Sequence, residues 1–205
     1  MSSVVMKIPP FAVLFFLFLL ISPIDIFGQE IPGLDSFNEK RIEYNKTGMV
    51  ILGSWAIGNM VWGAAGARNS TGQTKAFHQM NLYWNSVNLL IAGLGYWQAT
   101  KEVPSNDLLE SMLAQGKIEK ILLLNAGLDL AYMAGGMYLK ERGQRISKDK
   151  FVGFGKSIIL QGAFLLTFDA LMYTFHVTHA KELPAFFEQV SFTPAGMTMT
   201  IPLSK

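Results

Sequence analysis

His78-Gln79-Met80-Asn81-Leu82-Tyr83-Trp84-Asn85-Ser86-Val87-Asn88 sets a row of polar side chains into an apolar part of the chain. On a helix, at about 100° per residue, His78, Asn81, Asn85 and Asn88 fall within an arc of roughly 80°. Leu82 and Leu89 flank them, and Val87 and Leu90 point elsewhere. From Asn81 to Thr100 no side chain is charged, so the segment is long enough and uncharged enough to cross a bilayer. An amide without a partner in hydrocarbon is expensive, so the stripe must face other protein or enclosed water. This predicts a helical bundle with a hydrogen-bonding interior.

Composition agrees with that reading. The chain has 205 residues, 50% hydrophobic and only 16% charged, which allows one domain but too little charge for an ordinary soluble surface. A formal net charge of +2, without a basic stripe interleaved with aromatics, gives no sign of a nucleic-acid partner, and none is expected. The absence of cysteine removes disulfides, thiolate metal sites and a thiol nucleophile.

Along the chain, residues 1–28 read as a signal peptide: Lys7, an apolar block from Phe11 to Ile21, then Pro23 and a cleavage point after Gly28. The rival reading is an uncleaved anchor helix. Residues 29–46 read as an exposed lead-in that becomes helical near Phe37. Residues 47–180 hold four transmembrane helices, at Thr47–Ala67, Phe77–Gln98, Ile118–Leu139 and Val152–Thr178, each near the twenty or so residues a span requires. Ser105 or Asn106 could cap a helix whose apolar face, Leu108, Leu109, Met112 and Leu113, lies along the outer membrane surface; the plainer reading is an early start to the third helix, with Gly116 as a bend. In the extracytoplasmic tail, 181–205, apolar and polar residues alternate on either side of Pro194-Ala195-Gly196, a β-hairpin signal. The expected fold is therefore an all-α membrane protein, a four-helix bundle with a signal peptide and a short C-terminal hairpin. Asn45-Lys46-Thr47 and Asn69-Ser70-Thr71 fit the glycosylation pattern, which matters only in a pathway that glycosylates.

The loops Arg68–Lys75 and Lys140–Lys150 lie on one side and carry seven basic residues between them. The positive-inside rule makes them cytoplasmic, and a cleaved signal peptide independently puts Gln29 outside. The expected location is a bacterial inner membrane, with both ends of the mature chain extracytoplasmic and the lipid bilayer as partner.

Each remaining helix repeats the polar face. Trp55, Asn59 and Trp62 are four and three apart in the first; Asn125, Asp129 and Tyr132 follow the same spacing in the third. Gln161, Asp169, Tyr173 and His176 share an arc of about 120° in the fourth. Ranked by depth, His78 lies at the cytoplasmic end, Asn88 and Asp129 near the middle, Asp169 beyond it and His176 near the outer end. Inserting a charged Asp costs roughly 2.5 to 3.5 kcal/mol on translocon scales, so each acid is expected to pair with Asn, Tyr or Gln on a facing helix, stay protonated or meet water. Gly127, Ala131 and Gly135 should admit a neighbouring helix closely.

These residues serve either a ligand or proton pathway, or the fastening of helices where apolar burial cannot drive association. Nothing here assigns a catalytic residue, a metal or a cofactor. His78 and His176 stand at opposite ends and cannot share a haem iron. His176 and His179 with Met197 and Met199 form a soft copper set by residue type, although methionine on a hairpin face more often packs. Gly127-Leu128-Asp129 is a faint sign of an intramembrane aspartyl hydrolase.

Phe77-His78-Gln79-Met80-Asn81, Asn125-Ala126-Gly127-Leu128-Asp129 and Gln161-Gly162-Ala163-Phe164 resemble segments of an uncharacterised family of small bacterial envelope membrane proteins. The likeness runs from about Arg41 to His176; it implies a membrane location and no activity. The resulting expectation is a non-enzymatic envelope protein whose polar core binds a small ligand or relays protons. The alternative is a structural or assembly role, and a homo-oligomer stays open.

Overall fold

The computed structural model describes residues 31–188, 190–193 and 196–199 of the chain. The expected signal peptide lies outside the described residues. Four long helices follow one another: α1 (Leu34–Arg68), α2 (Gly72–Lys101), α3 (Leu108–Arg145) and α4 (Asp149–Ala180). A short α5 (Leu183–Glu188) leads to strands β1 (Val190–Thr193) and β2 (Gly196–Met199). The strands pair antiparallel, with Val190 opposite Met199.

Local chemistry explains where the helices begin. Pro32-Gly33 precedes α1, with Gly33 in the left-handed region at φ +86°, a conformation glycine adopts without a Cβ penalty. The start of α3 is capped by Asp107, whose Oδ1 accepts from the Glu110 N–H at 2.7 Å. The Glu110 carboxylate in turn accepts from Ser105 Oγ at 2.6 Å. The helix does begin early, but Asp107 rather than Ser105 or Asn106 is its cap.

All four helices run past the expected spans. At about 1.5 Å per residue, the 38 residues of α3 extend roughly 57 Å, against about 30 Å of hydrocarbon in a bilayer. The excess on α1 corrects the expected lead-in. Leu34, Phe37, Asn38, Arg41 and Ile42 are helical and buried, because α5 folds back and packs Leu183 and Phe186 against Leu34 and Phe37. This small apolar cluster lies at the end opposite the basic turns.

Helix α1 packs on α2, α2 on α4 and α4 on α3, while α1 touches α3 and α4 more lightly. The distribution of side chains reverses that of a water-soluble bundle. On α3 the buried residues are Ser111, Gln115, Asp129, Gly136 and Gly143, none of them a large hydrophobe. On α2 they are His78, three asparagines and three alanines. Val61, Val87, Leu90, Leu113, Leu124 and Leu130 are among the large apolar side chains that face outward. Helices α1, α3 and the run Asp149–Phe186 are long and apolar enough to cross a membrane. Helix α2 is missing from that set, and its buried amides give the reason: they lower the mean hydropathy of a helix whose outer face is apolar.

Close helix contact comes from glycine, but not from the glycines expected. A Cβ on Gly127 or Gly135 would meet nothing within 4 Å, so that row lies on an open face. The seam between α3 and α4 uses Gly136, one residue further round the helix, together with Gly143, Gly155 and Gly162. A Cβ on Gly155 would come within 2.5 Å of both Gly136 O and Lys140 N, which are backbone atoms that cannot swing aside. Overpacking a tight contact typically costs about 1–3 kcal/mol. Gly155→Leu should therefore lower the thermal unfolding midpoint of the detergent-solubilised protein, whereas Gly135→Leu should leave it nearly unchanged.

Candidate functional site

Three polar groupings occupy the interior. The first joins α1, α2 and α4. Asn81 Nδ2 donates to Asn59 Oδ1 at 3.1 Å and to Asn59 O at 3.2 Å. Gln161 Nε2 donates to Asn81 Oδ1 and, at 3.5 Å, to Asn59 Oδ1. Gln161 Oε1 accepts from Trp55 Nε1 at 2.9 Å, and the Trp55 ring stacks on Phe164 with centroids 3.8 Å apart. Asn85 Nδ2 donates back to Asn81 O at 2.8 Å, and Asn88 Nδ2 reaches Asn85 Oδ1 at 3.5 Å. Asn81, Asn85 and Gln161 are fully buried. Spacings of four and three along α2 let Asn85 and Asn88 each reach one turn back, while Asn81 reaches across to α1. The amides close on one another.

His78, at the basic end of the same stripe, is buried but makes no bond through Nδ1. It packs edge-on against Trp62, with centroids 5.1 Å apart, and against Phe77.

The second grouping is the pair Asp129 and Asp169 on the α3–α4 seam, 3% and 5% exposed. Their carboxyls are near enough to influence each other directly, and Asp129 Oδ2 has no hydrogen-bond partner among the described residues. An ionised carboxylate is only an acceptor, so a bond between two carboxyls requires a proton on one of them. The expected Asn, Tyr and Gln partners are thus replaced by a second acid. Asn125 and Tyr173 are half-buried and Tyr132 is exposed, set edge-on to Trp84. Among the described residues no hydrogen bond links the acid pair to the amide network or to His176, so the polar groups do not form one continuous chain.

The third grouping lies at the far end, where the sequence points to His176 and His179 but not to Asn38, Arg41 or Gln115. Asn38 Nδ2 donates to Ser105 O at 2.8 Å and to Ser111 Oγ at 2.7 Å. Asn38 Oδ1 accepts from Arg41 Nε at 3.1 Å. Arg41, 3% exposed, pairs with Glu102 at 2.7 Å. Gln115 Nε2 donates to His176 O at 2.8 Å. His179 stacks on Phe37 with centroids 4.1 Å apart and donates from Nε2 to Phe37 O at 2.9 Å. Asn38 and Arg41 recur at three and four residues among Leu34, Phe37 and Ile42, a helical pattern masked by the acids and lysines around it. The side chains of Met197 and Met199 lie outside the described residues. Among the described residues, no three His, Cys, Asp or Glu side chains gather where they could hold a metal ion.

A family of unknown function, DUF6992, matches residues 51–170, more than half of the chain. The chain belongs to that family. The DUF6992 match contains the whole amide network and both acids, whereas Asn38, Arg41, His176 and His179 fall outside it. No curated protein and no solved structure matches the chain.

The hub position of Asn81 and Gln161 can be measured. Either Asn81→Leu or Gln161→Leu strands a buried partner, a loss worth about 1–3 kcal/mol. A double-mutant cycle in lipid or detergent should give a coupling of about 0.6–1.7 kcal/mol between them, the range found for polar contacts between membrane helices. Asn125→Leu, which breaks no hydrogen bond, should cost little by the same assay.

Proposed function

We propose that the chain is a non-enzymatic integral membrane protein of the bacterial inner membrane with four spans, α2 included. In this reading the amide network fastens α1, α2 and α4, and the Asp129–Asp169 pair is the working centre, a site that takes up and releases a proton. The observation that carries it is the acid pair itself. Amides that satisfy one another need no further role, but two buried carboxyls in contact are costly to keep and gain a bond only with a proton between them.

A ligand bound among the amides has less support, since Asn81 donates to Asn59, Gln161 donates to Asn81, and Asn59 itself donates to Trp55 O. An acid dyad is also what an aspartyl hydrolase uses. Here both carboxyls are almost fully buried, which leaves no room beside them for a scissile bond, whereas a proton needs only a transient file of water. The lipid bilayer is the partner this reading requires, because large apolar side chains cover the outside.

The orientation follows from charge. Arg68, Lys75 and the basic stretch from Lys140 to Lys150 would face the cytoplasm, with α5 and both chain ends on the other side. Because the chain has no cysteine, single thiols report this directly. Val103→Cys should react with a membrane-impermeant maleimide in intact cells and Arg145→Cys only after lysis; the opposite pattern would invert the topology.

The proton site has its own test. Reconstituted wild-type protein should show, by infrared difference spectroscopy, a carboxylic-acid carbonyl band that shifts in D2O. Asp129→Asn and Asp169→Asn should each remove or displace it while helical circular dichroism is kept. A spectrum with no such band at any pH at which the protein stays folded would rule out the proton-holding role. Loss of folding in both variants, with no band in the wild type, would leave the acids a structural role alone.

A further inference from the structure

The far end of the bundle contains a histidine that the reading above does not use. His176 is fully buried, yet neither Nδ1 nor Nε2 has a hydrogen-bond partner. Most buried polar atoms find one, and an imidazole without any can be accommodated as a neutral ring far more cheaply than as a cation. Its level in the bundle is set by Gln115, which donates to His176 O and is flanked by Lys117 and Glu119. His176 thus lies beyond the charge-free part of α3, within reach of solvent protons once the end opens.

Its surroundings are poorly suited to a positive charge. From α1, Tyr44 meets the ring edge-on with centroids 5.9 Å apart, and the buried Arg41 lies close by. From α4 itself, His179 is a second basic neighbour. From α3, Gln115 faces the ring's backbone, its Oε1 unpartnered, and its amide donates to Glu119 at 2.8 Å. Two carboxylates of the same region are already engaged. Glu102 holds Arg41 at 2.7 Å, and Glu182 holds Lys40 at 3.3 Å and lies 3.4 Å from His179 Nδ1. The ring therefore has the Arg41 charge and a second imidazole beside it and no acceptor bonded to it.

We propose that this end is an acid-sensitive latch: a proton on His176 is accommodated only when the outer third of α1, residues 34–46, lifts away from α3 and α4. Lifting frees the ring to meet water and separates it from Arg41. What holds the latch shut is the Asn38 bonds to Ser105 and Ser111, the Arg41–Glu102 and Lys40–Glu182 pairs, the stack and hydrogen bond between Phe37 and His179, and the packing of Leu34 and Phe37 on Leu183 and Phe186. The proposal is independent of the acid pair, which sits in mid-bundle on a different interface.

Hydrogen exchange of the full-length protein in nanodiscs at pH 7.5 and pH 5, corrected for intrinsic exchange rates, tests the latch. A ring that charges only in the open form, with the ordinary imidazole value of about 6.5, favours opening at pH 5 by up to roughly thirtyfold. Stability from a histidine held neutral is present above that value and lost as pH falls below it. Glu182 does not confound the interval: partial burial pushes its carboxyl up, but the Lys40 hydrogen bond and His179 outweigh this and hold it below its usual range. Exchange across residues 34–46 should rise steeply on acidification while residues 51–65 of the same helix stay protected. His176→Phe keeps the ring shape and removes the proton site, so it should abolish the acid response; His179→Phe should retain it. Acid-independent exchange at 34–46 in the wild type would overturn the proposal whatever the variants do, as would an unchanged response in His176→Phe.

Discussion

The contact on which the rest depends is the bond from the Gln161 amide to Asn81, with Asn59 joined to both. It connects three helices through side chains that have no reason to leave water. In a soluble protein the exchange of water for a protein partner makes such a bond nearly neutral, about 0.5–1.5 kcal/mol net. Against hydrocarbon an unmade bond is far more costly, so the same amides become obligatory and directional. The buried set of each helix then follows. On α2 and α3 what is not polar at the interior is glycine or alanine, so that backbones come into van der Waals contact; α1 and α4 add Leu52, Phe168 and Met172, which close with Ala92 into a small apolar cluster.

Two kinds of interface result. Between α1, α2 and α4 the helices are held by the hydrogen bonds among Trp55, Asn59, Asn81 and Gln161, with Gly63 and Gly153 at close backbone contacts. Between α3 and α4 they are held by glycines, with the two acids enclosed in the seam. Beyond both lies a cap in which apolar residues of α1 and α5 form a small core of ordinary type. The first two interfaces lie inside the stretch shared with the family, and most of the cap lies outside it.

How much of this could be read from residues alone depended on how regular each signal was. The amides of α2 recur at helical period in an uncharged segment, so their shared face and inward direction were legible, as were Asn59 and Gln161. The partner of each acid is not legible, because periodicity gives the face of a helix and not the rotation of its neighbour; Asp129 lies beside Asp169 rather than pairing with Gln161 or Tyr173 of the facing helix. The glycine row was misplaced by a single position, since Gly135 and Gly136 are adjacent and only packing distinguishes them. The cap was misread as exposed because Asp35, Glu39, Lys40 and Glu43 give the segment a solvated composition, whereas the buried face is carried by Leu34, Phe37, Asn38 and Arg41.

The central claim is that polar groups face inward and apolar ones face lipid. Fluorescence quenching by phospholipids brominated on their acyl chains tests it most directly. Two single-tryptophan proteins suffice, one retaining only Trp55, which is stacked on Phe164 and bonded to Gln161, and one whose only tryptophan is introduced by Leu124→Trp at an outward position. The account predicts strong quenching for Leu124→Trp and weak quenching for Trp55. Equal quenching of the two, or none of either, would contradict it.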